Sequence, residues 1–203
     1  MNYTPDWNAE SRKKRSVSEE LNSCISGTFG IDAFSISAQI LSCMDFSPPM
    51  EPPQLMQMLT VADLGKGGGH TRKPGNITIK WKKLWDLAPD AVLTGAGVIG
   101  CPWLIPFAVL SITNKLWDAS RENISERHAL VVYALWSNKD RNDKINEDRG
   151  FEIVCQLVQE KKLLTMDIQE YTSILNILSD LHCIRIEGGF VCFTEGVRIK
   201  YKC

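Results

Sequence analysis

Between Asp90 and Lys115 the chain carries no charged residue for 24 consecutive positions. Such a run has three outlets: burial inside protein, entry into a bilayer, or use of its glycines to cradle a cofactor. Gly95-Ala96-Gly97-Val98-Ile99-Gly100 matches G-x-G-x-x-G, and Ala91-Val92-Leu93 offers a short strand before it. A dinucleotide site also needs a second strand that ends in an acid about twenty positions on. Here Asp118 stands at that distance but ends a helical run, and no βαβ repeat occurs elsewhere. No cofactor is therefore expected. A bilayer span is long enough by count, with Lys80, Trp81, Lys82, Lys83 and Trp85 ahead of it as an interfacial anchor. That alternative makes the chain a membrane-associated component anchored by residues 91–114. Three glycines and two prolines interrupt the run, and these favour burial. The expectation is a central apolar helix from about Pro102 to Trp117, entered by a glycine-rich turn.

The segments before it are less regular. Residues 1–20 are polar, carry Arg12-Lys13-Lys14-Arg15 and read as a flexible basic arm. No apolar stretch follows the basic run, so it is not read as a secretory leader. Phe34, Ile36, Ala38 and Ile40 alternate with polar residues, a pattern that suits a strand or a short helix. After Pro48-Pro49 and Pro52-Pro53, residues 54–64 suit a short helix and Gly65 to Gly75 a basic loop. That loop is not a P-loop, because no G-x-x-x-x-G-K-[ST] is present. Residues 76–85 alternate as a strand with a basic face.

After Trp117 the pattern becomes conventional. Ser125 caps a helix that runs to about Asn138. Asn146 caps a second, with Glu147 and Asp148 in its first turn and Lys161 and Lys162 in its last. Thr165 caps a third, with Ile168, Tyr171, Ile174, Leu175, Leu178 and Leu181 inside. The period then changes to two: Ile184 and Ile186 flank Arg185, Glu187-Gly188-Gly189 turns, and Phe190 to Thr194 returns. Glu195-Gly196 turns again, and Val197, Ile199 and Tyr201 alternate with Arg198, Lys200 and Lys202. The expected fold class is α+β, mainly α, divided into the arm at 1–20, an N-terminal region at 21–118 and a C-terminal domain at 119–203.

Three helices followed by a β-hairpin resemble the winged-helix variant of the helix-turn-helix over about 80 residues, most closely from Met166 to Ile199. The resemblance implies DNA binding with the third helix in the major groove. The residues argue against it. From Thr165 to Leu181 there is no Lys or Arg, whereas Asp167, Glu170 and Asp180 are acidic. Phosphate neutralisation needs cations. Winged helices also dock proteins, so Gln169, Glu170, Ser173, Asn176 and Asp180 become candidates for protein docking. The alternative is a DNA-binding regulator that uses Lys66, Arg72, Lys73, Lys80, Lys82, Lys83, the wing residues Arg185, Arg198 and Lys200, and the Arg12–Arg15 arm.

The net charge is −1, so the chain as a whole presents no field that would draw nucleic acid or anionic lipid. Seven cysteines are scattered without a C-x-x-C pair, which suits a reducing compartment and a cytoplasmic location. His182, Cys183, Cys192 and Cys203 are the one set that convergence would turn into a zinc site, and no metal is expected. His70, His128 and His182 occupy unrelated settings, and no catalytic constellation emerges. The leading expectation is a non-enzymatic adaptor whose partner is another protein. Whether it self-associates is not legible.

Overall fold

Ala9, Val17, Leu21 and Ile25 stand four or eight residues apart, which places them on one helical face. The computed structural model describes residues 3–29, 34–51, 72–91, 102–117 and 123–201. In chain order its elements are β1 (Thr4–Pro5), α1 (Trp7–Phe29), α2 (Phe34–Ser42), β2 (Met44–Ser47), β3 (Met50–Glu51), β4 (Gly75–Ile79), α3 (Trp81–Ala91), α4 (Leu104–Trp117), α5 (Glu126–Ser137), β5 (Lys144–Asn146), α6 (Glu147–Glu160), α7 (Ile168–Asp180), β6 (Ile184–Glu187), β7 (Phe190–Phe193) and β8 (Val197–Tyr201). The architecture is α+β and mainly helical.

The flexible arm expected at 1–20 is instead β1 and the first part of α1. Ala9, Val17, Leu21 and Ile25 are the buried face of that helix. Asp6 caps it, its Oδ1 accepting from the Ala9 amide at 2.9 Å. One apolar residue per turn or fewer, among charged neighbours, gave the segment its polar look. Strand β1 pairs antiparallel with β3. The alternating stretch at 34–40 takes its helical option in α2, which buries Ile36, Ser37 and Ile40. The expected helix at 54–64, the glycine loop up to Thr71 and the G-x-G-x-x-G run lie outside the described residues.

The basic strand expected at 76–85 stops at Ile79. Trp81, Leu84 and Trp85 are spaced three and four apart and are all buried, so the chain continues as helix α3. Their rings decide the matter: Trp81 and Trp85 stack with centroids 5.2 Å apart and planes 5° from parallel. Lys80, Lys82 and Lys83 consequently do not share one strand face.

Helix α4 is the apolar centre. Trp103 to Leu110 are buried without a break, as are Ile112 and Thr113. It packs against α1, α3 and α5. The Thr113 hydroxyl is satisfied within the helix, donating to the Val109 carbonyl at 2.7 Å. A helix of this length spans roughly 21 Å, short of the roughly 30 Å of hydrocarbon in a bilayer. Among the described residues no helix is long and apolar enough to cross a membrane. The expected burial against the N-terminal region and the C-terminal helices is what the described part of the run, from Pro102 on, displays.

The C-terminal unit runs helix, strand, helix, helix, strand, strand, and its antiparallel sheet has the order β5-β7-β6. Tyr171, Ile174, Leu175 and Leu178 of α7 face a core shared with Leu135, Val154 and Val158. The β6–β7 turn uses Gly188 and Gly189 at φ of 60° and 76°, the left-handed conformation that a two-residue hairpin turn requires. Asn146 caps α6, its Oδ1 accepting from the Arg149 amide at 3.1 Å. The third helix starts later than expected: Asp167, not Thr165, is its cap, with Oδ1 accepting from the Glu170 amide at 2.7 Å.

Strand β8 departs from the sequence expectation. It does not extend the β6–β7 hairpin but forms a second antiparallel sheet with the order β2-β4-β8. Ile199 pairs with Ile77, and Tyr201 with Gly75. Arg198 and Lys200 are therefore not wing residues. The chain crosses the expected boundary at 118/119 to complete a sheet begun by residues 44–47 and 75–79. A second tie comes from Trp81, whose indole N–H donates to the His182 carbonyl at 3.1 Å, 101 positions away.

Candidate functional site

The segment between α6 and α7 is a bracket tied at both ends by hydrogen bonds. Lys161 ends α6, and Lys162 follows at φ 54°. The Lys162 amide donates to the Gln159 carbonyl and the Leu163 amide to the Val158 carbonyl, both at 3.0 Å. This is the Schellman arrangement, which normally places an apolar residue back against the helix end. Arg127 of α5 fixes the rest of the bracket. Its Nη1 and Nη2 donate to the Leu164 and Thr165 carbonyls at 3.3 and 3.0 Å, and Nη2 also reaches Glu170 Oε2 at 2.7 Å. Arg127 Nε also lies 2.5 Å from Glu170 Oε1, an ion-pair approach without hydrogen-bond geometry, so the hydrogen bond of the pair is the one from Nη2.

The bracket holds apolar side chains out to solvent. Leu164 is 82% exposed, Ile168 52% and Leu163 45%. Three large apolar residues exposed within six positions form a patch of the kind that marks an interaction surface. Beside them opens a cavity of about 180 Å³, walled by Trp103, Leu130, Val158, Leu163, Leu164 and Met166, with Glu126 and Arg127 at its polar side. The cavity joins the central helix end to the C-terminal unit.

The expected docking residues of the third helix divide. Gln169, Ser173, Asn176 and Asp180 are exposed along α7, together with Thr172. Glu170 is not a free docking residue, because it is the partner of Arg127. Asp167 is spent as the cap. The face is thus less acidic than its sequence suggests: a polar, mostly uncharged row that continues from the patch. Ile168, expected inside, is the residue that joins them.

The candidate nucleic-acid contacts are scattered and mostly paired. Arg72 binds Glu51 at 2.7 Å, and Lys80 binds Asp45 at 2.6 Å. Lys73 sits over the Tyr3 ring, 4.3 Å from its centroid. Lys83 is exposed on α3, and Lys200 on the outer face of β8. Lys66 lies outside the described residues. Among the described candidates, Lys82, Arg185 and Arg198 meet, in an open polar groove that also holds Asn142, Asp143, His182, Thr194 and Glu195. Lys82 is tied there to Asp143 at 2.5 Å, and Lys139 approaches the same carboxylate at 2.6 Å. Hydrogen bonds from Lys139 and Lys82 hold the Asp143 carboxyl below the usual aspartate range. Arg185 approaches Glu187 at 3.6 Å.

Among the described residues no group of three or more His, Cys, Asp or Glu is placed to hold a metal ion. Cys203 of the zinc set considered above lies outside them. Burial pushes the Cys183 thiol well above its ordinary range, and it raises Cys24 and Cys155 as well, so thiolate is disfavoured at all three. His128 belongs to the cap of α5, its Nδ1 accepting from the Ser125 amide at 3.2 Å.

Trp103, Arg127, Leu163, Leu164 and Met166 were not singled out in the sequence. The available signal was Leu163-Leu164, an apolar pair that falls outside both flanking helical stripes. No family model matches this chain, and neither a curated protein nor a solved structure matches it.

Proposed function

We propose that this chain is a non-enzymatic docking subunit, and that residues 123–193 are a winged-helix unit turned to protein recognition. The helix–strand–helix–helix–strand–strand order and the β5-β7-β6 sheet support the winged-helix reading. The observation that carries the docking reading is the grouping of Leu163, Leu164 and Ile168, held outward by Arg127 beside an apolar cavity. Exposed apolar groups fixed by their own scaffold lose little freedom on binding. The partner is another protein that covers this patch and the polar row Gln169, Ser173 and Asn176. The described cysteines are all free, which supports a reducing, cytoplasmic setting.

Leu164→Asp tests it. The side chain is mostly solvent-exposed, so stability should change by no more than about 0.5 kcal/mol. Recovery of the native partner in co-purification should fall by about tenfold or more, as for a central interface residue. Equal recovery with the wild-type and Leu164→Asp chains would rule out this face.

A second reading rests on the meeting of Lys82, Arg185 and Arg198 in one groove, which favours an anionic partner such as nucleic acid. On the docking reading, a short DNA duplex is not retained even at low salt. If it is retained, and Arg198→Ala both weakens binding and lowers the salt slope by about one, the groove is the functional surface instead.

A further inference from the structure

Strand β6 stands at one side of the β5-β7-β6 sheet, so one of its two edges pairs with no strand of that sheet. The phase of its hydrogen bonds follows from its turn. Gly188 and Gly189, both at positive φ, make a two-residue turn, which a hydrogen-bonded pair closes, here Glu187 with Phe190. Bonded and non-bonded pairs then alternate along the ladder. Two bonds confirm this phase. The Thr194 amide donates to the Cys183 carbonyl at 3.1 Å, and the Phe193 amide turns the other way, to the Asp143 carbonyl at 3.0 Å. Ile186, which pairs with Val191, therefore directs its amide and carbonyl away from β7 and out to the open edge.

Arg185, Ile186 and Glu187 are all exposed there. Open edges are commonly blunted by a proline, a bulge or a lysine. β6 carries none of these: its register runs without a skip from Ile184–Phe193 to Glu187–Phe190. Its two charges are of opposite sign, flank Ile186 and lie on one face of the sheet. Their contact within the strand is loose, at 3.6 Å, with both side chains more than half exposed. An antiparallel strand added at this edge and centred on Ile186 sets its residue 187 opposite Arg185 and its residue 185 opposite Glu187. When the added strand is β6 of a second copy, Arg185 meets the partner's Glu187, and Glu187 meets the partner's Arg185. The edge is thus its own charge complement about a two-fold axis, as an isologous contact requires.

We infer that two copies of this chain pair through β6, joining their three-stranded sheets into one continuous antiparallel sheet. The contact uses other residues than the Leu163–Leu164 patch and does not rest on the docking reading. Four residues of edge bury far less than a standard interface, so the dimer is weak, with a Kd on the order of 100 µM.

The test is sedimentation equilibrium of the full chain from about 5 to 500 µM, a range that brackets this Kd. A reversible monomer–dimer equilibrium is expected. Arg185→Glu and Glu187→Arg each set like charges opposite one another twice per dimer, and each alone should raise the Kd about tenfold or more. Mixing the two variants in equal amounts restores opposite charges at both positions, so a heterodimer should form with about the wild-type Kd. That recovery also shows that both variants are folded. Leu164→Asp should associate as the wild-type chain does. A chain that stays monomeric throughout, single variants that associate like wild type, or a mixture that does not associate overturns the proposal. So does loss of association in Leu164→Asp, which would assign self-contact to the apolar patch instead.

Discussion

Trp81→Ala should lower the unfolding free energy by about 3–5 kcal/mol, the usual cost of emptying a buried tryptophan site. The indole is fully buried, stacks on Trp85 and donates to the His182 carbonyl. That carbonyl belongs to the turn that ends α7, where His182 sits at φ 53° and its amide returns to the Ser179 carbonyl at 2.9 Å. Removing the ring therefore loosens α3 and the end of α7 together. Trp81→Phe should cost much less in hydrogen bonding, because Thr194 Oγ1 also donates to the His182 carbonyl, at 2.6 Å. Urea unfolding checks both, read as a shift in midpoint at constant slope. A loss below about 1 kcal/mol for the alanine variant would mean that this ring does not join the two halves.

Gly75→Ala carries the next largest expected effect. A Cβ at that position would lie 2.3 Å from Tyr201 Cζ and 2.6 Å from its hydroxyl oxygen. Gly75 and Tyr201 are directly paired across β4 and β8, and the Tyr201 hydroxyl donates to the Ser47 carbonyl at 3.0 Å. The ring crosses the glycine to reach the third strand, so it cannot retreat without breaking that bond. The expected cost is about 1–3 kcal/mol, typical of overpacking. Gly75→Ala and Tyr201→Leu should be strongly non-additive, the double variant losing less than the sum of the singles. Additive losses would show that the ring is not what excludes a side chain.

These two sites also show what the sequence made legible. Helical stripes with caps were readable in the C-terminal half: Ser125, Asn146 and the Tyr171–Leu178 stripe fall where they were expected. The hairpin at Gly188-Gly189 was readable because two consecutive glycines are what its turn demands. Gly75 was read as the end of a loop, since nothing local says that a ring 126 positions later lies across it. The start of α3 was missed because Ile77, Ile79 and Trp81 continue a period of two, and only the tryptophan stack settles the switch to helix. The partner of β8 was not readable at all: alternation in Val197–Tyr201 marks a strand and says nothing about which sheet it joins.

The site was legible in part. The third helix was correctly expected to be poor in cations, but the fate of its acids depends on contacts across 43 residues, where Arg127 neutralises Glu170. The same contact turns Leu163 and Leu164 from an unremarkable loop pair into a fixed surface. The basic residues looked collective in the sequence because neighbours in the chain were counted together. In space Arg72, Lys80 and Lys82 each face their own carboxylate.

A photo-crosslinking residue placed at position 164, with a matched control at position 198, tests the docking account most directly. Position 164 lies on the apolar patch and position 198 on the polar groove. In the native host, a single protein partner should cross-link at 164 and not at 198. Cross-linking only from 198, or to nucleic acid rather than protein, would contradict the account.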